Sequence, residues 1–236
     1  MNKIFHIPHS STYIPKEYIS DYLVNLDYLN LSANIICDND LDKMVEHFKP
    51  NSILFPYSRL FCDVERFDSD DEIMNTIGMG VLYTHNHELV EIRKNPNKDI
   101  KKYYKEHHRL FNDKVSKLLE SNNDVIILDL HSYSKYPLPY ELNSNQQRPD
   151  ICIGLNSNYN KSFVDKVLNL IKKFEYSVGI NEPFSGSIIP NDFFSDKRVT
   201  SVMIEIRKDI YSTPEGFDKI SNFLEKIYGM WKIFSQ

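Results

Sequence analysis

Val125-Ile126-Ile127-Leu128-Asp129-Leu130-His131-Ser132-Tyr133-Ser134 is the stretch on which the fold turns. Five of its first six residues are apolar and three of those are β-branched, as in a strand buried on both faces. Such a strand belongs in a parallel or mixed sheet covered by helices. Open sheets of that kind bind ligands beyond the carboxyl ends of their strands. This strand delivers His131 to that end. An imidazole held there is a candidate metal ligand or catalytic base, provided that the rest of the chain supplies partners.

Outward from this strand, strands alternate with helical patterns. Lys3 to Ile7, Ser52 to Phe55, Ile151 to Leu155 and Thr200 to Ile206 read as strands. Leu41 to Phe48, His87 to Arg93, Lys161 to Phe174 and Pro214 to Phe234 read as helices. The strongest helical pattern runs from Ile100 to Leu119, where Tyr104, His108, Phe111, Val115, Leu118 and Leu119 recur at three- and four-residue spacing. The expectation is an α/β fold in one domain over residues 1–236, with a mixed, mostly parallel central sheet and helices on both faces.

The composition narrows the function. Hydrophobic residues make up 41% and charged residues 26% of the 236, as in a soluble globular protein. A net charge of −5 argues against a nucleic-acid footprint. No apolar run approaches the ~20 residues of a membrane span, and Pro8-His9 interrupts the N-terminus before a signal-peptide core can form. Cys37, Cys62 and Cys152 are sparse, odd in number and without Cys-x-x-Cys spacing, which fits a reducing cytoplasm. The 7 glycines form no phosphate-binding loop.

Three strand ends carry candidate chemistry. His9 follows the first strand, His131 ends the central one, and Glu205 lies in the late strand Ser201-Val202-Met203-Ile204-Glu205-Ile206-Arg207. Two imidazoles, one carboxylate ligand and a free glutamate base are the parts of a hydrolytic zinc site. Structural readings stand beside each. His9 as a loop histidine would bond to backbone, Asp129 and His131 would form a structural pair, and Glu205 would pair with Arg207 on the same face.

The segment Asp129-Leu130-His131-Ser132-Tyr133-Ser134, with Pro139-Tyr140 beyond, resembles the segment that holds the third zinc ligand of zinc carboxypeptidases, and Glu205-Ile206-Arg207 resembles their general-base segment. The order of motifs is closer still to the related N-formylglutamate amidohydrolase family. Pro8-His9-Ser10, the acidic Asp38-Asn39-Asp40-Leu41-Asp42, and Ser58-Arg59-Leu60-Phe61-Cys62-Asp63-Val64-Glu65-Arg66 match its pattern. Tyr103-Tyr104 with His108, Arg148-Pro149-Asp150 leading to Gly154, and Asn181-Glu182-Pro183-Phe184 with Gly186 continue it. The likeness spans residues 6 to 211.

The resemblance implies a zinc-carboxypeptidase-like fold and one zinc, or another divalent ion, per chain. It implies His9 and His131 as metal imidazoles and Glu205 as the general base. Zinc carboxypeptidases place a glutamate three residues after the first histidine, where this chain has Thr12. Asp38 is therefore expected to complete the metal site, with Asp42 and Glu17 as alternatives; Asp38 as a helix N-cap is the structural reading. Asp129 is expected to orient an imidazole or to touch the metal directly. Arg59 and Arg66 are the candidate grips for a substrate carboxylate. Glu65 stands where the family pattern has asparagine, so it either neutralises Arg66, selects another substrate group, or forms a surface pair. Arg148, Arg207 and Tyr133 are further substrate-binding candidates; the arginines double as structural partners for Asp150 or Glu205, and Tyr133 as a packing residue. His108 reads as a hydrogen-bonded inner histidine.

The expected activity is hydrolysis of the amide bond of a small N-acyl amino acid, N-formylglutamate being the simplest case. A carboxypeptidase-like enzyme acting on a peptide or cell-wall fragment, and a non-catalytic binding domain on the same fold, are the competing readings. The partner is a small molecule, with no nucleic acid or membrane. The oligomeric state is left open.

Overall fold

Nine consecutive buried residues make β3 (Val125–Tyr133) the axis of the molecule. The computed structural model describes residues 2–121, 124–141 and 148–230. β1 (Asn2–Ile7), β2 (Ser52–Leu54), β4 (Ile151–Leu155), β5 (Val178–Ile180) and β6 (Val199–Arg207) join β3 in a six-stranded sheet of order β2-β1-β3-β6-β4-β5. Every pairing is parallel except β4 on β6. The expected mixed, mostly parallel α/β sheet is the one observed. The chain leaves β1 towards β2 and then crosses to β3 on its other side. The carboxyl ends of β1 and β3 thus flank a switch in strand order, where open sheets leave a crevice.

The period of two along each strand sorts the layers. Ile126, Leu128 and Leu130 of β3 and Val202, Ile204 and Ile206 of β6 pack on α4 (Lys161–Lys173) and α5 (Pro214–Gly229). The opposite face holds Ile4, Val125, Ile127 and Val199 against Phe111, Val115 and Leu119 of α3 (Lys101–Leu119). Further along this second face the alternation turns polar, and His6, Asp129, His131 and Glu205 follow in the same parity as Ile4, Ile127 and Val199. The apolar ends of these strands fix the register, each buried side chain contributing about 1.5–3 kcal/mol. The polar ends are carried along and buried with them.

Several local expectations are corrected. Residues 87–93 are not helical: Asn86 accepts the N–H groups of Glu88 and Val90 at 3.0 Å each, a side-chain turn that outcompetes the helix. The helix from Leu41 ends at Met44 (α2, Leu41–Met44) and continues only as 3₁₀ turns. α1 (Leu26–Ile36) was not expected. Asn25 caps it by accepting the Tyr28 N–H at 2.9 Å, and Leu29, Ala33 and Ile36 bury one face. Exposed Leu26 and Leu31 hide that stripe in the sequence. The closing helix ends at Gly229; residues 231–234 of its expected span lie outside the described residues.

Candidate metal centre

Two imidazoles approach one carboxylate at the switch point. His9 is reached two residues after β1 ends, and His131 lies in β3 opposite Glu205 in the β3–β6 register. Glu65 comes from the loop after Phe61-Cys62, which packs in a separate apolar cluster above this face. One donor atom from each of His9, Glu65 and His131 lies within 4.8 Å of the other two. His131 Nε2 is 3.1 Å and His9 Nδ1 3.8 Å from Glu65 Oε2.

The far nitrogen of each imidazole is held by a different aspartate. His9 Nε2 lies 2.9 Å from Asp63 Oδ1, and His131 Nδ1 lies 3.2 Å from Asp38 Oδ2. A carboxylate behind an imidazole fixes its orientation and raises its basicity, the usual outer arrangement of a metal-binding histidine. Asp38 also accepts the Ser132 hydroxyl at 3.1 Å. Asp38 Oδ2 also lies 3.8 Å from His9 Nδ1, as far as Glu65 Oε2 does, but the three donors that come together are those of His9, Glu65 and His131, and Asp38 does not line the cavity; it caps no helix, since Asp40 precedes α2. Glu17 is exposed and Asp42 half-buried, and neither lines the cavity.

Charge and burial agree with this division of labour. Burial, with Arg59, pushes the His9 pKa down and keeps the ring neutral, the form that can donate a lone pair. Burial opposes a charge on His131 too, but Glu65, Asp129 and Asp38 outweigh it and hold its pKa well above the ordinary range. The same carboxylates would stabilise any cation placed among them. Burial would raise Asp63, yet Arg59, His9 and Arg66 hold it well below the carboxylate range.

Two buried atoms here have no hydrogen-bond partner, His9 Nδ1 and Glu65 Oε1. Orphaned buried polar atoms are rare and costly, by about 1–3 kcal/mol each. Two nitrogens and a carboxylate fit a borderline-soft divalent ion such as zinc, and an ion would satisfy His9 Nδ1.

The cluster opens into a cavity of about 660 Å³ whose lining includes His9, Arg59, Glu65, Arg66, His131 and Glu205. Burial pushes the Glu205 carboxyl up to about 8, and its Oε2 is a third orphaned atom. Arg59 gives both Nε and Nη2 to Asp63 Oδ2, at 3.1 and 2.7 Å. Arg66 gives its Nε–H to the Met79 carbonyl at 3.2 Å. Both line the cavity, as does Tyr133, which packs edge-on against Phe184 at 5.4 Å and donates its hydroxyl to the Pro149 carbonyl.

Arg148 and Arg207 do not reach the cavity lining. Arg148 lies behind the Tyr133 ring, 5.5 Å from its centroid, and pairs with Glu141. Arg207 is bound to Asp150 at 2.8 Å and Asp209 at 2.6 Å. His108 lines the cavity with its Nε2 2.9 Å from the Val64 carbonyl, an inner hydrogen-bonded histidine as expected.

Lys208 was missed. It lines the cavity and gives hydrogen bonds to the Ile35 and Cys37 carbonyls at 2.7 Å each. Asp63, His6 and the placement of Glu65 were missed too. Asp63 carries one faint signal, an acid between Arg59 and Arg66. His6 carries a better one, a histidine in the inward parity of a buried strand.

This is a mixed, mostly parallel α/β fold with a buried cluster of imidazoles and carboxylates at the switch in strand order. More particularly, the chain belongs to the N-formylglutamate amidohydrolase family, whose model matches residues 1–212. The fold is similar to that of N-formylglutamate amidohydrolase from Ralstonia eutropha JMP134, with a TM-score of 0.79 and 18% identity over 97% of this chain and 91% of that one. It is also similar to a gene product of Agrobacterium tumefaciens, with a TM-score of 0.71 and 17% identity over 97% and 89% of the two chains. No curated protein matches the sequence. No helix among the described residues is long and apolar enough to cross a membrane.

Proposed function

We propose that this amidohydrolase is zinc-dependent and cleaves a small N-acyl amino acid, most simply an N-formyl amino acid, with His9, Glu65 and His131 holding the metal. The observation that supports this most is the orphaned His9 Nδ1, facing Glu65 and His131, with Asp63 fixing the ring from behind. Zinc held by His9, Glu65 and His131 would supply a Lewis acid for the acyl carbonyl and would acidify water.

The chain's own residues do the rest. Glu205, on the strand next to His131, takes the proton of the attacking water and passes it to the leaving nitrogen. Arg66 offers its guanidinium to the substrate carboxylate, which positions the amide bond over the metal cluster. Arg59, which gives its Nε–H and an Nη2–H to Asp63, fixes the aspartate behind His9.

The test is to purify the protein without chelator, measure its zinc, and assay it on N-formyl amino acids and on short peptides. About one or more zinc per chain with release of formate is expected. Zinc with turnover of peptides alone would move the substrate to the carboxypeptidase-like class. Less than ~0.2 zinc per chain and no turnover would contradict the proposal.

A further inference from the structure

Beside the first cluster, and sharing Glu65 with it, lies a second set of donors whose other members, His6 and Asp129, the proposed chemistry does not use. One atom each of His6, Glu65 and Asp129 lies within 4.8 Å of the other two. His6 Nδ1 is 2.9 Å from Asp129 Oδ1 and 3.5 Å from Glu65 Oε1. Donors around a four-coordinate zinc, at bonds of about 2.0–2.2 Å, stand about 3.3–3.5 Å apart. The His6–Glu65 spacing already has that value.

Each of these donors has its remaining atoms fixed from outside. The His6 ring stacks on Phe111 at 4.5 Å, and its Nε2 sits 3.0 Å from His107 Nε2. Asp129 Oδ2 accepts the Ser187 hydroxyl at 3.3 Å and the Ile188 N–H at 3.2 Å, which leaves Oδ1 to face His6 and His131. Glu65 turns Oε2 to His9 and His131 and Oε1 to His6. Such outer partners are the usual support of metal ligands.

A structural His6–Asp129 pair accounts for only part of this. Among Nδ1, Oδ1 and Oε1 the one hydrogen on offer is that of His6 Nδ1, and Asp129 takes it. Glu65 Oε1 is left buried with no partner. A buried anionic oxygen without a donor is expensive, whereas a cation among the three atoms would satisfy them all.

We propose that His6, Asp129 and Glu65 form a second divalent-cation position, with Glu65 bridging it to the ion held by His9 and His131. The proposal rests on the first metal position being real. With two oxygens and one nitrogen it is the harder of the two positions, and manganese suits it.

Full-length protein, stripped of metal and saturated with Mn²⁺, tests this without reference to activity. Metal content and the electron paramagnetic resonance spectrum are measured for the wild type and for His6→Asn. Two manganese ions per chain with an exchange-coupled spectrum are expected in the wild type. His6→Asn is expected to retain one ion and to show an uncoupled six-line signal. One ion per chain in the wild type, or two without coupling, would overturn the second position and leave the first standing. No bound manganese and no bound zinc would remove both. The wild-type spectrum decides the matter even if the variant fails to fold.

Discussion

The carboxyl edge of β1 and β3 and the rim around Arg148 and Arg207 both gather charged residues, and they treat them in opposite ways. At the rim, Arg148 pairs with Glu141, and Arg207 with Asp150 and Asp209. At the strand edge, His9 Nδ1, Glu65 Oε1 and Glu205 Oε2 are buried without partners. Of the eight such atoms among the described residues, three gather at this one edge and none lies at the rim, the clustering expected where something else binds. Residue type alone did not separate these regions, since arginines were candidates for substrate recognition in both. The unpaired atoms separate them.

Five substitutions or treatments would break or sharpen that contrast. Glu205→Gln is expected to lower kcat by about 10²–10⁴-fold while leaving the metal content unchanged, as for loss of a general base; steady-state kinetics with metal analysis checks both. Removing metal by chelation is expected to lower Tm, because an ion present at ~1,000 times its Kd stabilises the folded state by about 4 kcal/mol. Calorimetry with and without chelator reads this, and an unchanged Tm would make the strand edge as inert as the rim. Asp63→Asn and Asp38→Asn, which leave both imidazoles in place, are expected to weaken metal affinity by about 10–100-fold each, measurable by competition with a chromogenic chelator. Arg207→Gln is expected to cost about 1 kcal/mol or less in stability, with kcat/KM near wild type. A large fall in kcat/KM would return Arg207 to the substrate site.

Much of the frame was legible in the sequence. β3 and β6 are long, buried on both faces and apolar enough to declare themselves, and they carry His131 and Glu205 to adjacent positions. His9 could be read because Pro8 ends a short strand just before it. The carboxylate could not. Glu65 sits in a loop with no periodicity, and its approach to His9 follows only from how that loop packs above the sheet. Thr12 and Glu65 read as two unrelated departures from known patterns. In the folded chain they complement each other, since the acid missing at position 12 enters from position 65. Asp38 was found as an acidic residue close to the site and lies 3.2 Å from His131 Nδ1 and 3.8 Å from His9 Nδ1, outside the cavity lining. α1 and β5 were lost for local reasons, exposed leucines in one and a length of three residues in the other.

The central claim is that Glu65, and not Asp38, completes the metal position with His9 and His131. Crystals of the protein grown with zinc and measured on both sides of the zinc absorption edge test it directly. The account predicts an anomalous peak about 2.0–2.2 Å from His9 Nδ1, His131 Nε2 and a Glu65 oxygen, with Asp38 still behind His131. A peak coordinated by Asp38 with Glu65 turned away, or no peak between the two imidazoles, would contradict it.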